Sequence, residues 1–458
     1  MPTGHVFPLA LPGPACAAAL IAAGLMMTAA GCRSPAESEL RRLQRHLLPR
    51  PGANLIVVSF DALRADALGA YGSRRGLSPH LDDFARHSIV FDNAYSVAPV
   101  TPTSFAAAFT GLLPTRVFLR WRLRYEDTMA RRFADAGYRT AAFVNNIQLT
   151  PARSFGTGFE HYAQFDRRPD EEVLERSLRW LDGNRRERFF VWVHFLSPHA
   201  PYDYRETAAH VYDDGYDGQF RHTTGPSFDT DDRRELARIR TLYDGEVFAA
   251  DELFGRLVDE LEAAGLLENS IVLATSDHGE EFQEHGGFQH GRLTEEHVRV
   301  PLILHHPGAR SPLRSAVLVS NVDLLPTLSS LAGIELDVAL DGRDLTRIRT
   351  PPEWIVGVAM TGASERWLSL RKESFKLILT CLPERRLALY DLAADPGETR
   401  DLHRERPDLA AELHRQLGTV LGGPPCAVMN AAVSGEDATA GLSRENVEAL
   451  AALGYLED

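Results

Sequence analysis

The chain has 458 residues, 44% hydrophobic and 24% charged, which suits a soluble globular protein with one large core and a smaller second unit and excludes disorder on a large scale. Its formal net charge of −14 excludes a nucleic-acid binder, whose affinity needs a basic surface against phosphates. An anionic substrate therefore needs local compensation from a cation or from Arg, because the only lysines are Lys372 and Lys376.

Residues 1–31 carry no Asp, Glu, Lys or Arg, and 15–31 are continuously small or apolar before the charged CRSPAESELRR. This is a targeting leader rather than part of the fold. Its end, MTAAGC, resembles a bacterial lipoprotein signal in which Cys32 takes the lipid, although a basic start is missing and Ala29 stands where Leu is usual. A plain cleaved signal and a short membrane anchor are the other readings. All three export the protein, so the expected location is the bacterial cell envelope, with the membrane reached through an N-terminal lipid or anchor. Beyond the leader only Cys381 and Cys426 remain, enough for one disulfide but not for a cysteine framework.

The polar, Arg-rich stretch 32–52 reads as a linker to NLIVVSF, the first buried-strand pattern. Similar runs recur at TAAFV, FFVWVHF and SIVLAT, separated by the amphipathic segments DTMARRFADAG, DEEVLERSLRWLDGN and a long one from DRRELARI to LEAAG. This alternation predicts an α/β domain over 53–350, its mainly parallel sheet covered by helices. The aperiodic Gly-, Asp- and aromatic-rich stretch from Tyr212 reads as a loop over the active face. Beyond about residue 350, WLSLR, FKLILT, LALYDL and a terminal helix predict a small α+β subdomain over 351–458.

Open α/β sheets bind ligands at the carboxyl ends of their strands, so the residue after each apolar run is informative. NLIVVSF delivers Asp61, TAAFV delivers Asn145 and Asn146, FFVWVHFLSP delivers His199, and IVLATS delivers Asp277 and His278. A single Asp in such a place is usually a turn residue. Four strands agreeing points to a site. Two carboxylates, a histidine and a hydroxyl at one edge suit a divalent cation, because buried like charges repel unless a cation bridges them.

The hydroxyl comes from SVAPVTPTSFAAAFTGLLPTR, where Thr101, Thr103 and Ser104 crowd the first turn of an apolar helix. Capping accounts for Thr103 and Ser104. Thr101 is the expected nucleophile. A helix N-terminus favours an alkoxide by only about 0.3–1 kcal/mol, whereas a divalent metal lowers the pKa of bound water by about nine units, so the cation has to do most of the activation.

These residues resemble the sulfatase family of the alkaline-phosphatase superfamily. NLIVVSFDALRADALGAYG, SPHLDDFARHSIVFDNAYS, TGLLPTR, FFVWVHFLSPHAPY, SDHGEEFQEHG, EEHVRVPLILHHPG, VDLLPTLSSLAGI, LYDLAADPGETRDL and ALAALGYLE match family blocks in order from about residue 54 onward. The resemblance implies an alkaline-phosphatase-like sandwich with a small C-terminal sheet and helix. It implies Asp61, Asp277 and His278 as metal ligands with Thr101 at the nucleophile position. His199 of HAPY would contact the ester or its leaving group. His290 of QHGRLTEE falls where many sulfatases have a lysine, and His285 lies nearby. Asn145 and Arg64 are candidates for holding nonbridging oxygens.

The departures are equally specific. Sulfatases carry Cys or Ser in a Cys/Ser-x-Pro-x-Arg context for conversion to formylglycine, and here Thr101, Thr103 and Phe105 stand at those places. Threonine's β-methyl blocks oxidation to an aldehyde. The active-site lysines are absent, FVNNIQL replaces the usual GKWHLG, and the second Asp of the frequent Asp-Asp pair is Ala62. A formylglycine hydrate releases sulfate by collapsing to aldehyde, whereas a Thr ester must be attacked again at its central atom, which phosphorus tolerates better. The expectation is an exported hydrolase of phosphate mono- or diesters or of sulfate esters, with His199 or His290 protonating the leaving group. One divalent metal is expected, Zn²⁺, Mn²⁺ or Ca²⁺; the mixed oxygen and nitrogen donors fit the first two at least as well as the 6 to 8 oxygens Ca²⁺ prefers. The substrate is an anionic ester, and no oligomeric state is assigned. The alternatives are a phospho-headgroup transferase and a sulfatase-like binding protein without turnover.

Overall fold

The computed structural model describes residues 34–433 save 120–121, 167–168, 213–214, 226–227, 310 and 362–364, together with Arg444 and Val447. The leader with Cys32 and the block ALAALGYLE lie outside the described residues. Strands β1 (Asn54–Phe60), β2 (Ile89–Tyr95), β3 (Arg139–Asn145), β4 (His161–Phe165), β5 (Phe189–Phe195), β6 (Ser270–Ser276), β7 (Leu302–His305) and β8 (Leu313–Ser320) form an eight-stranded sheet in the order β8-β2-β7-β6-β1-β5-β3-β4. All neighbours run parallel except β7, which is antiparallel to both β2 and β6.

The runs are apolar throughout because both faces of the sheet are covered. Leu55, Val57, Ala142, Val144, Phe190, Trp192, Ile271 and Leu273 enter one core, and Ile56, Val58, Phe60, Ala141, Phe143, Val191, Val193, Val272 and Ala274 enter the other. The first core is closed by α1 (Pro35–Gln44), α3 (Thr101–Thr110), α4 (Met129–Asp135) and α7 (Leu324–Ala332). The second is closed by α2 (Pro79–Arg86), α5 (Asp170–Asn184) and α6 (Arg233–Ala263), the last capped by Asp232, whose side chain accepts from the amides of Arg234 and Glu235. The sheet is thus the mixed, mainly parallel layer expected, with helices on both sides.

Within 32–52, read as a linker, the described residues contain a folded element instead. Ser34 and Glu37 form a capping box at the start of α1, and Leu40, Leu43 and the following Leu47 are buried in the first core. The Arg-rich composition belongs to the outer face of a helix whose apolar stripe is too short to stand out. The stretch from Tyr212 carries no helix among its described residues, only a bridge between Asp203 and Thr223, and tucks Tyr212, Tyr216 and Phe220 against the α6 core.

Beyond residue 350, β9 (Trp354–Thr361), β10 (Glu365–Lys372), β11 (Phe375–Leu382) and β12 (Arg386–Asp391) form an antiparallel meander, followed by α8 (Pro407–Leu421) and α9 (Pro425–Val433). Cys381 on β11 is disulfide-bonded to Cys426 on α9. This sheet shares the first core: Val358, Leu368, Leu370 and Leu377 pack with Val97, Leu293 and Val298, and the Val358 amide donates to the Val97 carbonyl at 2.7 Å. Among the described residues no helix is long and apolar enough to cross a membrane.

Candidate active site

Because β1, β3, β5 and β6 are parallel neighbours, their carboxyl ends share one edge, and the chain leaves that edge on polar residues. Asp61 follows β1 directly, and the backbone then turns through Ala62 at φ 63°. That left-handed Ala is held from two directions: its amide donates to Asp277 Oδ1 at 3.1 Å, and its carbonyl accepts the Tyr243 hydroxyl at 2.9 Å. Asp277 and His278 leave β6. Helix α3 brings Thr101 to the same edge as its first residue, and α3 closes at Gly111, whose φ of 66° suits glycine.

Four of the expected residues meet there. Thr101 Oγ1 lies 3.2 Å from His278 Nε2 and 3.4 and 3.5 Å from the two carboxylate oxygens of Asp61. His278 Nε2 lies 3.6 Å from Asp61 Oδ1 and 3.5 Å from Asp277 Oδ2. All four side chains are buried. The His278 Nδ1–H donates to the Gly279 carbonyl at 2.9 Å, which leaves the Nε2 lone pair facing the other three groups.

The electrostatics suit a cation. Burial works against the Asp61 charge, and the field of the histidines around it, His199 foremost, outweighs that and holds the carboxyl down. Asp277 is pushed up, first by burial and then by the charge of Asp61. His278 is lowered by burial and so stays a neutral donor atom. Asp277 Oδ1 accepts the amides of Ala62 and His278, while its Oδ2 has no hydrogen-bond partner. A buried carboxylate oxygen left unpartnered beside a second carboxylate is costly without a positive charge between them. Donor separations of 3.2–3.6 Å are those of atoms sharing one divalent ion, so the residues present fit a metal.

Sequence reasoning missed one member of this site, His194, and placed another, Asn146, at the sheet edge without giving it a role. His194, inside β5, places Nε2 at 3.4 Å from Asp61 Oδ2, and the ligand atoms of Asp61, His194 and Asp277 all lie within 4.8 Å of one another. The available signal was a lone histidine in the run FFVWVHF. Asn146 donates its side-chain amide to Asp61 Oδ2 at 2.7 Å.

Its neighbour Asn145 donates to Asp170 Oδ1 at 2.7 Å and borders a cavity of about 220 Å³ that is also lined by Ser197, His199, Asp203, Arg205 and Glu246. His199 Nδ1 donates to the Ala200 carbonyl at 2.6 Å. Its ring lies 5.1 Å from that of His290, which in turn lies 4.1 Å from His278, so both expected histidines stand beside the four-residue centre. His290 Nδ1 donates to Glu280 Oε1 at 3.0 Å, and Glu280 accepts the Tyr202 hydroxyl at 2.6 Å. Burial, followed by the field of His199, lowers His290 well below the usual imidazole range.

Other expected residues have different partners. Arg64 gives two bonds to Asp66, one to Glu284 and one to the Glu280 carbonyl, each at 2.8–2.9 Å, which occupies four of the five guanidinium N–H groups. His285 faces Glu296 Oε1 at 3.5 Å in a separate cluster with Glu398, and Glu296 raises its pKa. Thr103 and Ser104 do not cap the helix amides. The Thr103 hydroxyl donates back to the Val100 carbonyl at 2.9 Å, and the Ser104 hydroxyl donates to the Asp277 carbonyl at 2.8 Å, tying α3 to the turn that follows β6.

A family model described as Sulfatase matches residues 53–334, and one described as N-sulphoglucosamine sulphohydrolase, C-terminal, matches residues 283–421. The ulvan-active sulfatase of Formosa agariphila is 27% identical over 341 residues, 66% of this chain and 65% of that protein. An arylsulfatase of Clostridium perfringens is 25% identical over 448 residues, 78% and 92% of the two chains. Among solved structures, BT4656 in complex with its substrate D-glucosamine-2-N,6-O-disulfate aligns with a TM-score of 0.71 at 20% identity over 82% of this chain and 99% of that one. The phosphonate monoester hydrolase of Agrobacterium radiobacter aligns with a TM-score of 0.71 at 18% identity over 81% and 95%.

Proposed function

Because the chain belongs to the sulfatase family and is a sulfatase-like hydrolase of ester bonds, we propose that it is an exported, metal-dependent enzyme that cleaves phosphate mono- or diesters, or sulfate esters, with Thr101 as the nucleophile. The observation that carries this reading is the hydroxyl of Thr101 at the first turn of α3, 3.2 Å from His278 Nε2 and 3.4 Å from Asp61 Oδ1. A divalent cation held by Asp61, Asp277, His278 and Thr101 would supply the acidity that ionises this hydroxyl and the positive charge opposite the ester's oxygens.

The chain's own groups do the rest. The N-terminus of α3 adds about 0.3–1 kcal/mol in favour of negative charge at Thr101. Thr101 oxygen attacks the central atom, the bond to the leaving oxygen breaks, and His199 gives that oxygen its Nε2 proton, the Nδ1 proton being committed to the Ala200 carbonyl. Water then attacks the central atom of the Thr101 adduct and loses a proton to His199, the bond to Thr101 oxygen breaks, and the acid leaves with Thr101 as the alkoxide it was before attack. His290, neutral and braced by Glu280, accepts a hydrogen bond from substrate or water rather than donating the catalytic proton. The second attack at the central atom favours phosphorus, since threonine offers no aldehyde to collapse to, whereas the names of the curated relatives speak for sulfate esters.

Export and a lipid or anchor at Cys32 belong to the same proposal. They are supported by the composition of the leader and by the Cys381–Cys426 disulfide, which suits an oxidising compartment. The test is turnover of aryl phosphate, phosphodiester, phosphonate and sulfate esters with Zn²⁺, Mn²⁺ or Ca²⁺, comparing wild type with Thr101→Ala. Turnover that survives the substitution removes Thr101 from the mechanism. Absence of turnover on every ester with metal bound supports a binding protein instead.

A further inference from the structure

Building on the metal centre just described, we propose that His194 is a ligand of its cation, standing in for the carboxylate lost at Ala62 and giving the site a second imidazole nitrogen. The proposal starts from two orphans. Among the buried side-chain atoms that make no hydrogen bond, His194 Nε2 and Asp277 Oδ2 both face the space beside Asp61. His194 is wholly buried, and its Nε2 stands 3.4 Å from Asp61 Oδ2. A histidine sealed in a strand interior with one nitrogen unpartnered is expensive unless something accepts its lone pair.

The other side of the ring offers an acceptor for a proton on Nδ1. Ser59, paired with His194 in the β1–β5 register, is 3.0 Å from His194 Nδ1 through its Oγ. The Trp192 indole, which can only donate, gives its N–H to the same oxygen at 2.8 Å, and the Ser59 hydroxyl proton points to the Val193 carbonyl at 3.5 Å. Ser59 is then satisfied as a double acceptor and single donor when His194 Nδ1 is the protonated nitrogen. The Nε2 lone pair is left aimed at the Asp61 carboxylate, a repulsive contact until a cation lies between them. A ligand histidine that donates its remote N–H to a fixed acceptor is the usual way a metal site holds its tautomer. Phe105 packs against the same ring, meeting the His194 imidazole edge-on at 5.0 Å.

Two imidazoles, two carboxylates and a hydroxyl make a transition-metal donor set, and Ca²⁺, which takes 6 to 8 oxygens, is the poorer fit. Zn²⁺ should therefore bind more tightly than Mn²⁺, and both more tightly than Ca²⁺.

The test uses the full-length protein and does not rely on turnover. X-ray absorption of the Zn²⁺-loaded wild type counts the imidazoles around the metal, and two are expected. Competition against a chelator should show Zn²⁺ affinity reduced by at least about 100-fold in His194→Ala and by about 10-fold in Ser59→Ala, which only frees the tautomer. One imidazole in the wild type, or unchanged affinity in a folded His194→Ala protein, overturns the proposal and means that Nε2 carries the proton and merely steadies Asp61. Should His194→Ala not fold, the wild-type imidazole count decides alone. A wild type that binds none of the three ions overturns the metal-dependent function as well, a distinct result.

Discussion

The hydroxyl of Thr101 and Nε2 of His278 sit 3.2 Å apart although 177 positions separate them in the chain. Thr101→Ala removes the proposed nucleophile and one of the four groups proposed to hold the cation, while its methyl side chain fills part of the same buried space. The expected outcome is a fall in kcat of at least about 10³-fold with the melting temperature of the metal-free protein nearly unchanged. Thr101→Ser should keep measurable turnover. Steady-state kinetics beside a thermal melt decide it, and an Ala variant within tenfold of wild type rules the role out.

His199 holds its Nδ1 proton on a backbone carbonyl, so only Nε2 can serve the leaving group. His199→Ala should slow esters of alkyl alcohols by about 10²–10⁴-fold. Nitrophenyl esters, whose leaving groups need no proton, should lose far less. The readout is the dependence of rate on leaving-group acidity, which steepens if His199 is the acid. A parallel loss across all esters would place His199 in binding alone.

Chelation should destabilise the fold. In the metal-free protein burial and the Asp61 charge raise the Asp277 pKa above its unfolded value, so folding holds a proton there and stability falls as pH rises through that range. Bound metal cancels the penalty and adds about 4 kcal/mol at a concentration 1,000 times its Kd. Melting after EDTA, then after Zn²⁺ is restored, measures the difference. Its size should grow from acid to neutral pH.

Lys376 is buried, with Nζ 3.1 Å from Glu295 and 3.0 Å from Glu398. Burial opposes its charge, and Glu398 and Glu295 outweigh that and raise its pKa, so its contribution is complete below 10.5 and fades as pH rises past its folded value. Glu295 is lowered, burial being overcome by Lys376 and Arg371, so its contribution is complete above 4.5 and fades as pH falls through its folded value. Lys376→Met leaves buried Glu398 without its counter-ion, while Glu295 keeps Arg371 at 2.9 Å, and should cost about 3–5 kcal/mol at neutral pH. Thermal melts across pH should show the cost shrinking toward 4.5, as the carboxylates take up protons in the variant, and again above 10.5, as the wild type loses its own.

The disulfide joins residues 45 apart, a loop for which chain entropy predicts stabilisation of about 2–4 kcal/mol. Cys426→Ser, or a reducing buffer, should lower the melting temperature by that equivalent. Metal binding at the centre should survive, since α9 touches none of its residues.

The centre was legible wherever chemistry sits at an element boundary. Asp61, Asp277, His278 and Thr101 each begin or end a strand or helix, and an apolar run that breaks on an ionisable group is visible in one dimension. His194 was not legible in that way, because it lies inside β5, where a strand residue declares its face but not its partner. Asn145 and Asn146 show the resolution limit of such reading: adjacent in sequence, they turn to Asp170 and Asp61 respectively, and only the path of the chain after β3 decides which. Arg64 looked available because its partners Asp66 and Glu284 are unremarkable surface types until the fold brings them together. The order of the eight strands, the reversal of β7 and the helix Pro35–Gln44 hidden in the stretch 32–52 depend on long-range packing that local composition does not carry.

Val97, four positions before Thr101, takes a hydrogen bond from Val358 of the antiparallel sheet on its carbonyl, while its amide donates to Asn321 Oδ1 at 3.0 Å. The segment that presents the Thr101 hydroxyl is therefore gripped from outside the parallel layer as well as from within it. A fragment cut near residue 350 would retain every side chain of the centre and still fail as a catalyst, for the meander acts as a buttress under the loop rather than as a passenger behind it.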